Sequence, residues 1–338
     1  VTVRWGFLGA GSIAHSSVGP AVRAAVGHTL HAVAARDERR AAVLRPARVY
    51  RHYEQLLSDP DVDAVYVCLH NRAHVTQVRA ALRHGKHVLC EKPLGLTAVE
   101  VAAMTSEATA ARRVLVEAAW NRWHPRTRTV ETLLAAGEVG RVQRVVARFH
   151  GASPTPGNYR RQAALGGGAL WDVGCYAVAG ALSALGWRQP TEVSATAVRW
   201  DDGDADVTTR ARLTFGTGTT VDVVAALDGG DDQLLEVHGE AGVLRLPHPA
   251  FTAGAAPATA LLTPRGAATR VFDYPATDPY RLMVEAFGAA VRGEGTWLVS
   301  LAESAAVART LDAIRAALAV PDRVPGAGVS PRPGAGRP

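Results

Sequence analysis

Short apolar runs alternate with amphipathic stretches over the first 120 residues. Val3–Leu8, Thr29–Ala35, Ala64–Leu69, His87–Cys90 and Val114–Ala118 are apolar almost throughout, the pattern of strands buried on both faces. Between them, Val75–Arg83 and Ala98–Ala111 repeat apolar residues at helical spacing, with Thr97 placed to cap the second. Buried strands alternating with helices predict a doubly wound parallel sheet of Rossmann type. Beyond residue 122 the period changes. One amphipathic helix, Arg126–Ala136, stops at Gly137. Two-residue alternation then marks Val142–Phe149, Glu192–Trp200, Thr208–Phe215, Thr219–Ala226, Leu234–Gly239 and Val243–Leu246. These predict an α+β unit with an open, mostly antiparallel sheet, closed by helices over Asp278–Arg292 and Leu301–Ala319. The expected division is a dinucleotide-binding domain over 1–120, a substrate-binding domain over 121–320 and a disordered Pro/Gly/Arg tail over 321–338.

Composition narrows the function classes. A length of 338 residues suits two domains rather than one core. No run approaches ~18 uninterrupted apolar residues, and Val1–Leu8 enters a strand directly rather than through a leader pattern, so no membrane partner is expected. The net charge is +6, but acids interrupt the basic clusters, as in Arg36-Asp37-Glu38-Arg39-Arg40, and a nucleic-acid partner is not expected. The three cysteines, Cys68, Cys90 and Cys175, lack metal-ligand spacing. They read as reduced core thiols of a cytoplasmic protein, and no metal is expected. Of 37 basic residues only Lys86 and Lys92 are lysines. Arginine is effectively always charged, whereas a lysine can be tuned to give up its proton. A lysine retained in such a chain is a candidate for proton transfer.

Three motifs carry the candidate chemistry. Gly9-Ala10-Gly11-Ser12-Ile13-Ala14 follows the first strand. Gly9 suits the tight turn, and Gly11 suits close backbone approach to a pyrophosphate lying beside Ser12 and Ile13 at a helix start. The second strand ends Ala34-Ala35-Arg36-Asp37. Arg36 is placed to pair with a 2′-phosphate and so favours NADP; Asp37, one position on, keeps NAD open. Glu91-Lys92-Pro93 follows the fourth strand, where ligands bind in such sheets. A general acid–base lysine there needs its pKa pulled toward ~7–8, and Pro93 suits a cis bond. Gly166-Gly167-Gly168-Ala169-Leu170-Trp171-Asp172-Val173-Gly174-Cys175-Tyr176 opens a helix in the second unit, with Asp172 and Tyr176 on one face.

Together with Tyr53-Glu54-Gln55-Leu56-Leu57 and the Asn71–His74 pair, these motifs resemble the glucose–fructose oxidoreductase, inositol dehydrogenase and rhizopine-catabolism (Gfo/Idh/MocA) family, over Val3 to about Ala319. Glu117-Ala118-Ala119-Trp120-Asn121-Arg122 and the tyrosine at 176 are similar to its dihydrodiol dehydrogenase and NADP-dependent D-xylose dehydrogenase branch. The resemblance implies hydride transfer between NADP and a hydroxyl or carbonyl carbon of a sugar or polyol. It implies Lys92 as the main acid–base group, Tyr176 as its proton-donating partner and Asp172 as the group that tunes Lys92. Leu69, Asn71, His74, Glu91 and Arg122 would line the cofactor; Trp120, Tyr159 and Trp171 would meet the substrate. A homodimer or homotetramer through the sheet of the second unit is implied too. Two alternatives stay open: a sugar 3-ketoreductase acting on a nucleotide-linked deoxysugar, and a non-catalytic dinucleotide sensor. The chain departs from the family's pattern in a short segment from Ala42 to Tyr50, and in His70, where a proline is common before the asparagine.

Overall fold

The computed structural model describes residues 1–216, 218–254 and 256–318; the expected tail at 321–338 lies outside the described residues. The first unit is a six-stranded sheet of β1 (Val3–Leu8), β2 (His28–Ala34), β3 (Arg48–Tyr50), β4 (Ala64–Val67), β5 (His87–Cys90) and β6 (Leu115–Glu117). Its order is β3-β2-β1-β4-β5-β6, every pair parallel. The strand order reverses beside β1, and ligands bind at such switch points. The connecting helices are α1 (Gly19–Ala24), α2 (Glu38–Val43), α3 (Tyr53–Leu57), α4 (His74–Arg83) and α5 (Ala98–Ala111). Thr97 caps α5 as expected, its hydroxyl accepting from the Glu100 amide at 3.1 Å. The short Ala42–Tyr50 segment leaves α2 only six residues long. β4 stops at Val67, before the expected Leu69, because Cys68 and Leu69 turn out of the sheet to line the crevice described below.

The second unit runs α6 (Pro125–Ala135), β7 (Val142–His150), α7 (Cys175–Ala184), β8 (Glu192–Arg199), β9 (Asp206–Thr214), β10 (Thr220–Ala226), β11 (Asp232–Gly239), β12 (Gly242–Leu246), β13 (Ala258–Pro264), β14 (Arg270–Tyr274), α8 (Pro279–Val291) and α9 (Leu301–Leu318). The sheet order is β14-β13-β12-β11-β7-β10-β9-β8. All its pairs are antiparallel except β7 with β10. β13 and the edge strand β14 escaped the hydrophobic pattern, and both are partly exposed. Val145, Ala147 and Phe149 of β7 point into the core while Arg144 and Arg148 point away from it. The segment 163–184 is apolar and long enough to span a membrane by composition, but 78% of it is buried in this unit, so it is a core helix.

The two units share one apolar core. Trp5 and Phe7 of β1 join Met283 and Phe287 of α8 and Val145 and Phe149 of β7 in a single cluster. Lys86, the second lysine, is structural: its ammonium donates to the carbonyls of Asp59 and Val62, each at 2.7 Å. Gly9 ends β1 at φ +101°, and a Cβ there would lie 2.7 Å from the Cys68 carbonyl oxygen. Gly9→Ala is therefore expected to destabilise the fold by about 1–3 kcal/mol through backbone strain, read as a lower Tm with weaker dinucleotide binding.

Candidate active site

The carboxyl ends of β1, β2, β4 and β5 open into a crevice whose far wall belongs to the second unit. Its cavity volume is about 720 Å³, within the range of small-molecule sites. Gly9, Gly11, Ser12 and Ile13 form its floor. Leu69, Asn71, Glu91, Lys92 and Trp120 follow along the strand ends, and Tyr159, Asp172 and Tyr176 face them. Asn71 ties the walls together, its side-chain amide donating to the Gly166 carbonyl at 2.7 Å.

At one end stand Arg36 and Arg40, with Tyr53 beside them. Asp37 lies between the arginines in sequence, but its carboxylate is spent: Oδ1 accepts from the amides of Arg39 and Arg40 at 3.0 and 3.3 Å, capping α2. The acid that kept NAD open is thus engaged as a helix cap. Among the described residues neither Arg36 nor Arg40 has a carboxylate partner. Two uncompensated guanidinium groups at the end of β2 make a site for a phosphate.

At the other end, the Lys92 ammonium donates to the Asp172 carbonyl at 2.8 Å and to Asp172 Oδ1 at 3.0 Å. Its nitrogen lies 5.1 Å from the centroid of the Tyr176 ring. With two donors engaged, the third N–H is left for a ligand oxygen. Tyr176 Oη accepts from the Trp120 indole at 2.8 Å, which leaves the phenol proton to be donated. The Trp120 ring in turn stacks on Tyr280, centroids 4.5 Å apart. The Lys92–Pro93 bond is cis.

The electrostatics correct one expectation. Burial alone would lower the Lys92 pKa, but the Asp172 carboxylate and Tyr176 outweigh it and hold the lysine well above its ordinary value. Lys92 is therefore held as the ammonium, and not near the deprotonated state expected of it. Burial pushes Asp172 upward, yet the charges of Lys92 and Arg160 prevail and bring it down to about 2. Burial raises the carboxyl of Glu91, which accepts from the Tyr66 hydroxyl at 2.6 Å.

Three expected site residues lie off the crevice. Arg122 does not line this crevice but a smaller cavity behind Lys92 and Tyr176, where Glu131 and Glu303 take its guanidinium at 2.7 and 3.1 Å, against the Trp187 ring. His74 is fully buried, its two nitrogens on the carbonyls of Pro93 and Leu69 at 2.9 and 3.2 Å. It braces the turn that carries Lys92 rather than lining the crevice. Trp171 packs into the shared core. Conversely, sequence reasoning missed Arg40, Tyr53, Phe149, Arg160 and Tyr280, all of which line the crevice. Arg40 could have been found as a basic residue in the first turn of the helix that Asp37 caps. Arg160 sits in an irregular loop with no periodic signal. His70, the unusual residue before Asn71, lines the crevice as well.

Comparison with known proteins settles the family. Residues 3–118 match the oxidoreductase family with an NAD-binding Rossmann fold, and residues 127–245 match the GFO/IDH/MocA C-terminal domain. The chain belongs to the Gfo/Idh/MocA oxidoreductase family. This oxidoreductase is 38% identical over 317 residues to D-xylose 1-dehydrogenase (NADP(+)) 2 of Haloferax volcanii, covering 92% of this chain and 95% of the relative. It is 33% identical to trans-1,2-dihydrobenzene-1,2-diol dehydrogenase of Oryctolagus cuniculus, over 66% of this chain and 69% of that one. Among solved structures, a 3-ketoreductase from Actinomadura kijaniata in complex with NADP and TDP-benzene superposes with a TM-score of 0.85 at 29% identity, covering 94% of this chain and 98% of that one. The residues of this oxidoreductase fit a dinucleotide: Gly9 adopts a backbone conformation that disfavours a side chain, and two arginines without carboxylate partners among the described residues line the same crevice.

Proposed function

We propose that this chain is an NADP-dependent oxidoreductase that interconverts a hydroxyl and a carbonyl on a sugar or related polyol, with Lys92 and Tyr176 as the acid–base pair. The observation that carries the reading is the Lys92–Asp172–Tyr176 arrangement at the mouth of a dinucleotide crevice. When bound, the nicotinamide supplies or accepts the hydride. This chain's residues manage the proton. In reduction the free N–H of Lys92 and the free O–H of Tyr176 converge on the substrate oxygen, and Lys92 Nζ gives up its proton as the carbon gains hydrogen. In oxidation Lys92 must first pass its own proton to solvent before it can receive that of the substrate hydroxyl. Trp120, by donating to Tyr176 Oη, keeps the phenol from turning its proton inward.

Arg36 and Arg40, both without carboxylate partners, support NADP over NAD. The NADP-dependent xylose dehydrogenase relative and the NADP-bound ketoreductase support it too. Solved variants of that ketoreductase at a lysine and at a tyrosine mark two positions separated by the same number of residues as Lys92 and Tyr176. The ketoreductase likeness also favours a second reading, a nucleotide-linked sugar as substrate. The intact lysine, aspartate and tyrosine argue against a purely sensing role. Three free, buried cysteines support a reducing, cytoplasmic setting. A homodimer or homotetramer through the open sheet of the second unit is the assembly the family membership suggests. Light scattering on the purified chain is expected to give a mass of two or four chains; a monomer would refute this.

The test is turnover of NADP(H) and NAD(H) against aldoses, ketosugars, inositols, dihydrodiols and a nucleotide-linked ketosugar. Turnover with NADP on a sugar is expected; preference for NAD, or turnover confined to compounds without hydroxyl or carbonyl groups, would overturn the reading. The charge on Asp172 adds a pH prediction. Asp172→Asn removes the charge that raises Lys92 while burial still lowers it. Reduction needs the protonated lysine, so the alkaline limb of its pH profile is expected to move down by about 1 unit or more. An unmoved limb would show that Asp172 does not set the Lys92 pKa.

A further inference from the structure

Asp172 has two oxygens and two cationic partners. Oδ1 holds Lys92 at 3.0 Å, while Oδ2 accepts from Arg160 Nε at 2.7 Å. Arg160 is not free to wander. It lies in a tight turn, Tyr159–Arg161, whose start is capped by Asn158, with Oδ1 accepting from the Arg160 amide at 3.0 Å. The turn is docked on the triple glycine that leads into Asp172. The Gly168 amide donates to the Arg160 carbonyl at 2.8 Å. A Cβ on Gly167 would lie 2.4 Å from the Tyr159 carbonyl oxygen and 2.7 Å from that of Arg160. Only glycine permits this approach, so the glycine run fixes the turn against the segment carrying Asp172. The neighbouring arginine anchors the turn from its other side: Arg161 donates to the Pro154 carbonyl at 2.9 Å and pairs with Asp202 at 2.7 Å.

Building on the reading of Lys92 as the acid–base group, we propose that Arg160 is a positioning residue that fixes the rotation of the Asp172 carboxylate and thereby aims Lys92 at the reacting oxygen. A carboxylate held by one cation alone can swing about its side-chain bonds. Held at both oxygens, it presents Oδ1 to Lys92 in one orientation, and the Asp172 carbonyl completes the clamp on the same ammonium. The third Lys92 donor then points in a defined direction. Misplacing a catalytic group by about 1 Å can slow a reaction by about 100-fold. The triple glycine thus has a second use beyond starting a helix: it makes room for the turn that carries this arginine.

The scarcity of lysine supplies a direct test on the free protein. With lysine-selective 13C and 15N labelling, the side-chain spectrum contains only Lys86 and Lys92. Lys86, bonded to the Asp59 and Val62 carbonyls, reports on the integrity of the fold. Lys92→Ala assigns the second signal. Arg160→Gln is expected to move the Lys92 signal toward that of a free lysine without moving Lys86, while Arg160→Lys retains it. In an Asp172→Asn background the same change at Arg160 is expected to add nothing, because the residue acts through Asp172. With D-xylose and NADP as the kinetic probe, Arg160→Gln is expected to lower kcat by about 10-fold with the KM for NADP unchanged. An unmoved Lys92 signal in Arg160→Gln, or an equal displacement with and without the Asp172 carboxylate, would overturn the proposal. Full turnover in Lys92→Ala would instead overturn the acid–base reading beneath it, whatever the spectra show.

Discussion

Replacing Lys92 with alanine is expected to lower kcat by about 10²–10⁴-fold, the contribution of a positioned acid–base group, while NADP binding stays close to wild type. The expectation rests on geometry. Lys92 is clamped by the carbonyl and carboxylate of Asp172, lies above the Tyr176 ring and has one donor to spare. No second lysine can substitute, since Lys86 is held by two carbonyls near the opposite ends of the strands. Tyr176 offers a single phenol proton, and burial raises its pKa well above the ordinary value, so it stays protonated as a hydrogen-bond donor beside Lys92. Steady-state kinetics and NADP titration of the variant together check the split. Loss of affinity with an unchanged kcat would assign Lys92 to cofactor binding instead.

The second large effect concerns the choice of cofactor. Arg36→Ala combined with Arg40→Ala is expected to lower the NADP-over-NAD preference by about 10-fold or more. That is the lower end for charged hydrogen bonds, because both groups stay open to solvent. Asp37 is not expected to take over as a ribose acid in this variant, because its Oδ1 remains committed to the amides at the start of α2. Arg36→Asp, which adds an acid directly, is expected to carry the preference further toward NAD. The ratio of kcat/KM for the two cofactors measures both; an unchanged ratio would remove the arginines from the phosphate site.

What could be read from the sequence follows physical rules. Five of the six parallel strands were legible because they are buried and almost wholly apolar, whereas β3, three residues long and largely exposed at the sheet edge, was not. The helix limits at Thr97 and Asp278 were legible because capping side chains announce them. The glycine loop and the lysine turn were found because each sits directly after a strand. Asp37 was ambiguous because an acid ahead of a helix serves equally as a cap and as a ribose partner, and only coordinates decide between them. The ion pairing of Arg122 was not legible because Glu303, one of its two partners, lies 181 residues away. Trp171 misled for a different reason: on a helix buried nearly all round, position in a motif does not say which way a side chain faces. Asp172 was expected to tune Lys92, but the direction was missed because burial, which lowers the pKa, is readable from context, whereas the contact geometry by which a carboxylate 80 residues away outweighs it is not. Arg160 was missed because its loop has no period, yet the glycine run that accommodates it was in plain view.

The most direct test of the central claim is transfer of deuterium from NADPH labelled at nicotinamide C4 to the carbonyl carbon of a sugar substrate, followed by mass spectrometry of the product. The account predicts deuterium on that carbon with the wild-type protein and almost none with Lys92→Ala over the same time. Tight NADPH binding without deuterium transfer to any member of the sugar panel would contradict it and leave a dinucleotide-binding protein without this chemistry.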